Sequence, residues 1–131
     1  MSDKSRVWIE YAKRDLKSAE NLLDDEYVAN SVMLHCHQAV EKVLKAVLAS
    51  NDIKIPRIHG ITKLYGMLPE KILKTLNLDN QDIEILDEIY IDSRYPADIG
   101  ILPSGFPSKS DAEKVFIITQ KIFLNILKIL E

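Results

Sequence analysis

Apolar residues recur along this chain at every third or fourth position, the spacing of α-helices, and no segment is rich in strand signals. At about 100° per residue, the stretch from Ser5 to Asp24 places one apolar set on a single arc. The set is Trp8, Ala12, Leu16, Ala19 and Leu23. Asp15 projects within the same arc, and a carboxylate on an apolar face requires a hydrogen-bonding partner. We therefore expect Asp15 to be a paired structural residue, with Arg94, Lys42 and Tyr95 as candidate partners in that order.

A second helical stretch runs from about Tyr27 to Ser50 and carries a wide apolar stripe. The stripe contains Val32, Cys36, Ala39, Val40, Val43, Ala46 and Val47. A polar row occupies the opposite side, made of Gln38, Glu41, Lys42 and Lys45. Because only a short polar connection separates the two long helices, they should pack antiparallel as a hairpin.

The rest of the chain predicts shorter helices and one long final helix. The shorter ones are expected at 61–68, 69–76 and 81–93, and a proline-rich and glycine-rich loop spans 95–108. The final helix should begin with a capping box at Ser110 and Glu113. Its apolar stripe is Val115, Thr119, Ile122, Ile126 and Leu130. The pattern predicts one all-α domain over residues 1–131, with about five helices.

Two helices carry more apolar side chains than one buried face needs. Ile117 and Leu124 point away from the stripe of the last helix, and Leu34 and Leu48 fall on the polar side of the second. A monomer would leave all four in water. We therefore expect a homodimer formed through these faces.

Composition narrows the functional classes. A length of 131 residues suits one domain, and 17 basic against 20 acidic residues give a net charge of −3. The basic residues are scattered, so no extended nucleic-acid surface is expected. Cys36 is the only cysteine, which excludes an intramolecular disulfide and favours the cytoplasm. The N-terminus lacks the apolar core of a signal peptide, and the most apolar stretch, 115–130, contains charges, so no membrane span is expected.

The segment His35-Cys36-His37 resembles a metal site only at first sight. On a helix, side chains two positions apart point roughly 160° away from each other. They cannot share one ion, and zinc requires three or four converging ligands. No Walker loop, dinucleotide fingerprint or nucleophile elbow is present. We therefore expect no metal and no cofactor, and we interpret Cys36 as a small core residue.

Four segments stand in an order and spacing typical of one family. They are Trp8-x3-Ala12-x2-Asp15-Leu16-x2-Ala19, His37-Gln38-Ala39-Val40-Glu41-Lys42-x2-Lys45-Ala46-x-Leu48, His59-Gly60-Ile61-x2-Leu64 and Ser93-Arg94-Tyr95-Pro96. In these segments the chain resembles the HEPN family, named for higher eukaryotes and prokaryotes nucleotide-binding domains. The resemblance implies an up-and-down helical bundle that commonly dimerises. It also implies nucleotide binding and pairing with a minimal nucleotidyltransferase, often as a toxin–antitoxin system.

The resemblance also implies a second possibility, because a large subset of HEPN proteins are metal-independent ribonucleases with an Arg-x4–6-His motif, in which the histidine serves in acid–base chemistry. In this chain no arginine stands at the corresponding distance before His35, His37 or His59, and no histidine follows Arg94. A ribonuclease toxin is therefore the second hypothesis. A purely structural homodimeric interaction domain is the third.

The first hypothesis is a non-catalytic accessory protein that binds a nucleotide or a nucleotidyltransferase. An arginine and two lysines suit a phosphate, and a tyrosine ring can stack on a base. The residues expected to line this shallow groove are Gln38, Glu41, Lys42, Lys45, Arg94 and Tyr95. The alternative for the same residues is that Arg94 only pairs with Asp15 and that the lysines form a solvated helix face.

Overall fold

A computed structural model describes the backbone of residues 1–94 and 106–131, and the side chains of all of these except residues 90–94. These ranges contain no strand and six α-helices: α1 (Asp3–Leu22), α2 (Ala29–Ser50), α3 (Ile61–Gly66), α4 (Glu70–Leu76), α5 (Asn80–Arg94) and α6 (Lys109–Leu130). A short 3-10 turn, Glu26–Val28, joins α1 to α2. The expected all-α fold is confirmed. No helix in the described ranges is both long and apolar enough to cross a membrane.

Helices α1 and α2 form the antiparallel hairpin that their short connection predicts. Near one end, the Ser5 hydroxyl donates a hydrogen bond of 2.9 Å to the carbonyl oxygen of Ala46. Near the other end, Asp15 contacts His35. Helix α1 begins at Asp3, slightly earlier than expected, because the Ser2 hydroxyl accepts a hydrogen bond from the Ser5 N–H and caps the first turn.

Helix α2 lies at the centre of the bundle, and its neighbours cover most of its circumference. Helix α1 packs along one side and α6 along another, while α3 and α5 contact it elsewhere. Six of its valine and leucine side chains are fully buried, namely Val32, Val40, Val43, Leu44, Val47 and Leu48. The expectation that Leu48 faces water is therefore wrong, and Leu34 is only half-exposed. Helix α2 does not offer the apolar surface that was predicted for a dimer.

Helix α6 packs on α2 through the predicted stripe. All members of that stripe are buried, namely Val115, Thr119, Ile122, Ile126 and Leu130. Ile117 and Leu124 are 64% and 52% exposed, as their position on the opposite side predicts. The periodicity of α6 therefore identified both its buried and its exposed faces.

The capping box of α6 lies two residues before the predicted one. The Ser108 hydroxyl accepts a hydrogen bond from the Asp111 N–H, and the Asp111 carboxylate accepts one from the Ser108 N–H. The prediction of Ser110 and Glu113 as the capping box is therefore wrong. Ser108 and Asp111 form the same reciprocal pair of hydrogen bonds, with an aspartate, one carbon shorter, in the place of the glutamate. Most of the loop predicted at 95–108 lies outside the described residues.

Helices α3 and α5 pack against α2 and against each other, and α4 contacts α6. The Asp87 carboxylate of α5 accepts hydrogen bonds from the backbone N–H groups of Ile61 and Thr62 at the start of α3. It thereby satisfies two N–H groups that have no partner within the helix. This contact fixes the start of α3, two residues after His59.

Candidate functional site

The α1–α2 hairpin holds its first ion pair at Asp15. This residue is only 7% exposed, and its Oδ2 accepts a 2.5 Å hydrogen bond from Lys42 Nζ. Its other oxygen, Oδ1, lies 2.9 Å from Nδ1 of His35. A buried carboxylate must recover the hydration it has lost, and two nitrogen partners achieve this here. The expected pairing of Asp15 is therefore present, with the second of the three candidates; the side chain of Arg94 and all of Tyr95 lie outside the described residues.

A second ion pair lies further along α2, around Glu41. Lys45 Nζ donates to Oε2 of this carboxylate over 3.0 Å, one helical turn away. Nδ1 of His59 lies 3.2 Å from both carboxylate oxygens, and Nδ1 of His37 lies 3.9 Å from Oε1. Glu41 and Lys45 are 8% and 5% exposed. This pair is therefore more deeply buried than the pair formed by Asp15.

Two aromatic rings of α1 cover the lysines. The Tyr11 ring centroid lies 5.7 Å from Lys42 Nζ, and the Trp8 centroid lies 5.5 Å from Lys45 Nζ. Both distances are within the range of a cation–π interaction, which is strengthened where water is excluded. The rings are three residues apart on α1 and the lysines three residues apart on α2, so the antiparallel register brings each ring over one lysine.

We refer to the eight side chains of the two ion pairs and their covering groups as the hairpin network. They are Trp8, Tyr11, Asp15, His35, Glu41, Lys42, Lys45 and His59. Three of the predicted groove residues, Glu41, Lys42 and Lys45, belong to it, and Gln38 is half-buried on the same helix.

Both expectations for the polar row of α2, a shallow groove and a solvated face, place it at an accessible surface, but Glu41 and Lys45 are buried. The row is covered because α2 is the central helix, and its two lysines are compensated by Asp15 and Glu41. A solvated lysine face, the alternative for this row, is also wrong for Lys45, which is nearly inaccessible. Any anionic ligand must therefore share these ammonium groups with buried carboxylates.

The sequence did not single out Trp8, Tyr11 and His35 as site residues, and it treated His59 only as part of a motif. The sequence does contain a signal for the two aromatic residues. Once Asp15 is paired with Lys42, the antiparallel hairpin places residues earlier in α1 beside residues later in α2, and so brings the two aromatic rings to the lysines. The position of His59 carried no such signal because it depends on the path of the loop 51–60.

His35 and His37 diverge, as their spacing on a helix predicts. His35 contacts Asp15, while His37 is fully buried and faces Glu41. Burial lowers the pKa of His37 to about 4, against the opposing effect of the Glu41 and Asp87 charges. The buried imidazole is therefore neutral at pH 7.

Cys36 is a fully buried thiol between these histidines. Burial raises its pKa to about 12, and a side-chain hydrogen bond with Thr119 offsets only part of that effect. Such a thiol does not form the reactive thiolate at neutral pH. In the described part of the chain, no three His, Cys, Asp or Glu side chains are arranged to hold a metal ion.

Fold and site together define a class of protein: an all-α bundle built on a long antiparallel hairpin with buried ion pairs between its two helices. The family model described as "HEPN domain" matches residues 5–130. The match covers nearly the whole chain, and the protein belongs to the HEPN family.

Several known proteins resemble this chain, among them one relative by sequence and two solved structures. A protein of Methanocaldococcus jannaschii named "Putative toxin MJ1304" is 37% identical over 98 residues, which are 70% of this chain and 63% of that protein. The chain thus spans less than two thirds of the relative's length. The crystal structure of TT1696 from Thermus thermophilus has a TM-score of 0.80 at 23% identity, covering 97% of this chain and 98% of the other, which supports the fold alone. The crystal structure of ST0689, an archaeal HEPN homologue, has a TM-score of 0.73 at 25% identity, covering 99% and 100%.

Proposed function

We propose that this protein is the HEPN component of a toxin–antitoxin-like pair, and that it binds a nucleotide or a minimal nucleotidyltransferase without cleaving RNA by itself. Family membership and the similarity to a relative named as a toxin support the first part. The hairpin network supports the second, because it joins charged, imidazole and aromatic groups at one edge of the hairpin.

The observation that carries the proposal is the burial of two ion pairs, Asp15 with Lys42 and Glu41 with Lys45. Removing an ion from water costs several kcal/mol, and well-packed apolar residues often stabilise a core equally well or better. Stability alone therefore gives little reason for two such pairs in a small bundle. Charged groups in unusual environments cluster at functional sites, which favours a binding role for the network.

The exposed edge of the network suits a nucleotide. The side chains of His35 and His59 are 32% and 57% exposed, and Tyr11 is 56% exposed. A base can stack on the tyrosine ring, while the ammonium of Lys42, whose side chain is 25% exposed, can donate to a phosphate oxygen. Gln38, Arg94 and Tyr95 stay in this proposal as ligand contacts expected from the sequence.

Titration calorimetry with a panel of ribonucleotides tests the binding. We expect one nucleotide class to bind and expect Tyr11→Ala and Lys42→Gln to weaken it at least about tenfold. Lys13→Gln is the matched control, since Lys13 is an exposed lysine of α1 outside the network. If no nucleotide binds, or if binding survives both network changes, nucleotide recognition at this site is excluded and the purely structural hypothesis gains.

Pairing with a nucleotidyltransferase has a separate test. The gene beside the one encoding this protein should encode a small nucleotidyltransferase, and the two proteins should co-purify after co-expression. A neighbouring gene of another class, or a pair that elutes as two separate species, would contradict the pairing.

A ribonuclease is the second candidate, and one observation favours it. The half-exposed imidazole of His59 is held by the buried Glu41 carboxylate, an arrangement in which a carboxylate orients a histidine for proton transfer. Incubation with structured and unstructured RNA decides between the two candidates. We expect no cleavage above background; cleavage that His59→Ala abolishes would make the ribonuclease the better proposal.

A further inference from the structure

The outward side of α6 carries a regular strip of basic and aliphatic side chains. Lys114, Lys121 and Lys128 recur every seven residues, and Ile117 and Leu124 lie between them. At 100° per residue these five positions fall within an arc of about 80°. All five side chains are exposed. We refer to them as the α6 strip, which lies opposite the stripe that packs on α2.

The spacing of the α6 strip is that of a helix-pairing seam. Intervals of three and four residues place the lysines at the a positions and the aliphatic residues at the d positions of a heptad repeat. Residues at a and d face the partner helix in a coiled coil. The strip is too narrow to enter a lipid bilayer in the manner of an interfacial helix, which needs a broad apolar face.

The charge of the α6 strip is uncompensated within the described residues. Between residues 114 and 130 the sequence contains three lysines and no carboxylate, in a chain of net charge −3. Lys121 borders a cavity of about 340 Å³ that Asp79 and Asp82 also line. Yet no ion pair within 4.0 Å joins any of the three lysines to another described residue. A partner can therefore supply the missing negative charge.

A second copy of this chain fits the strip poorly, although the exposed aliphatic residues alone predict one. In a parallel pair, residues at a positions oppose their own counterparts, so each lysine would meet the same lysine. In an antiparallel pair the ammonium groups would lie against Ile117 and Leu124 of the other copy and would remain unneutralised. Like charges placed opposite each other select against a partner.

We propose that the α6 strip docks an amphipathic helix of a different protein, which presents aliphatic residues beside a row of carboxylates. The aliphatic side chains would pack against Ile117 and Leu124, and the carboxylates would pair with the three lysines. Charge complementarity of this kind speeds association and selects the partner. This inference does not depend on nucleotide binding at the hairpin network.

Fluorescence anisotropy with a labelled synthetic helix tests the inference. The probe is a peptide of about four heptads with leucine at d and glutamate at a, and its counterpart carries lysine at a. The acidic peptide should bind, more weakly as salt is raised, and the basic one should not. Changing Lys114, Lys121 and Lys128 to Glu should weaken binding at least about tenfold, as should Ile117→Ser with Leu124→Ser.

The matched control changes three exposed lysines elsewhere, Lys13, Lys63 and Lys71, to Glu, which alters the net charge by the same amount. We expect this variant to bind the acidic peptide nearly as well as the unchanged protein.

Equal losses in both triple variants, or equal binding of the basic peptide, would overturn the inference. So would a dimer in sedimentation equilibrium that the two serine changes dissociate, since a second copy would then occupy the strip. Strip-dependent binding to phosphatidylserine vesicles without peptide binding would assign it to a membrane instead. Circular dichroism melting of every variant verifies that the fold is retained.

Discussion

Replacing Glu41 by alanine should destabilise this protein more than replacing Asp15, although each carboxylate holds one lysine and at least one imidazole. The difference follows from the lysine that each change leaves behind. The Lys45 side chain is only 6% exposed, whereas the Lys42 side chain is 25% exposed at the edge of the hairpin. An ammonium that can turn toward solvent recovers part of its hydration.

The burial of the two lysines sets the magnitudes. Leaving a buried charge without its partner costs about 3–5 kcal/mol, which we expect for Glu41→Ala. For Asp15→Ala we expect about 1–3 kcal/mol, between the values of a buried and an exposed pair. A domain of this size has about 5–15 kcal/mol of stability, so both variants should remain folded without denaturant.

Urea unfolding at pH 7 measures both free energies of unfolding, and unchanged m-values would verify that the denatured state is comparable. The double variant Glu41→Leu with Lys45→Met is the control, because it removes both charges together. It should recover most of the stability lost in Glu41→Ala, since apolar residues can replace a buried ion pair at little cost. Equal losses for the two single variants, a larger loss for Asp15→Ala, or a double variant as unstable as Glu41→Ala would refute this reasoning.

Three further predictions concern other parts of the bundle. Because burial lowers the pKa of His37 from 6.5 to about 4, the unfolded chain binds this proton first as pH falls. The free energy of unfolding should therefore decrease between these pH values, by up to about 1.4 kcal/mol per pH unit, and less so in His37→Gln; identical pH profiles would contradict this. Since the Cys36 pKa is raised to about 12, an alkylating reagent at mildly alkaline pH should label Cys36 in urea but not in the native protein, and rapid native labelling would argue against a buried thiol. Ser108→Ala should cost about 1 kcal/mol in thermal or urea unfolding through loss of the α6 cap, while Ser110→Ala should cost almost nothing; the reverse order would restore Ser110 as the cap.

Much of the fold could be predicted because helix spacing is a local property. The α1–α2 hairpin and the two faces of α6 follow from periodicity and from the length of one connection. The burial of α2 does not follow in the same way. Periodicity shows which side of a helix is the most apolar, but it does not show which neighbouring helices cover the other sides. Lys45 was expected in an accessible groove or on a solvated face for this reason, and Ile9, which is 5% exposed, was left outside the apolar arc of α1.

The candidate site was harder to predict than the fold because its contacts join distant parts of the chain. Asp15 pairs with Lys42 across 27 residues, and Glu41 meets His59 across 18. The burial of Asp15 could be predicted because this charged residue lies among the apolar positions of α1. His59 gave no comparable signal, since the composition of a loop does not determine which helix the loop will contact.

Asp87 links two helices that differ greatly in their ability to exist alone. Helix α3 has six residues, far fewer than an isolated helix needs to persist in water, so it depends on the carboxylate that α5 supplies. The two helices should open and close as one cooperative unit, and the amide hydrogens of Ile61 and Thr62 should exchange with solvent no more slowly than those of α5. His59 lies two residues before the first residue of this unit. The time it spends against Glu41 is therefore governed by the local unfolding equilibrium of α5, and any molecule that stabilises α5 also holds His59 in place.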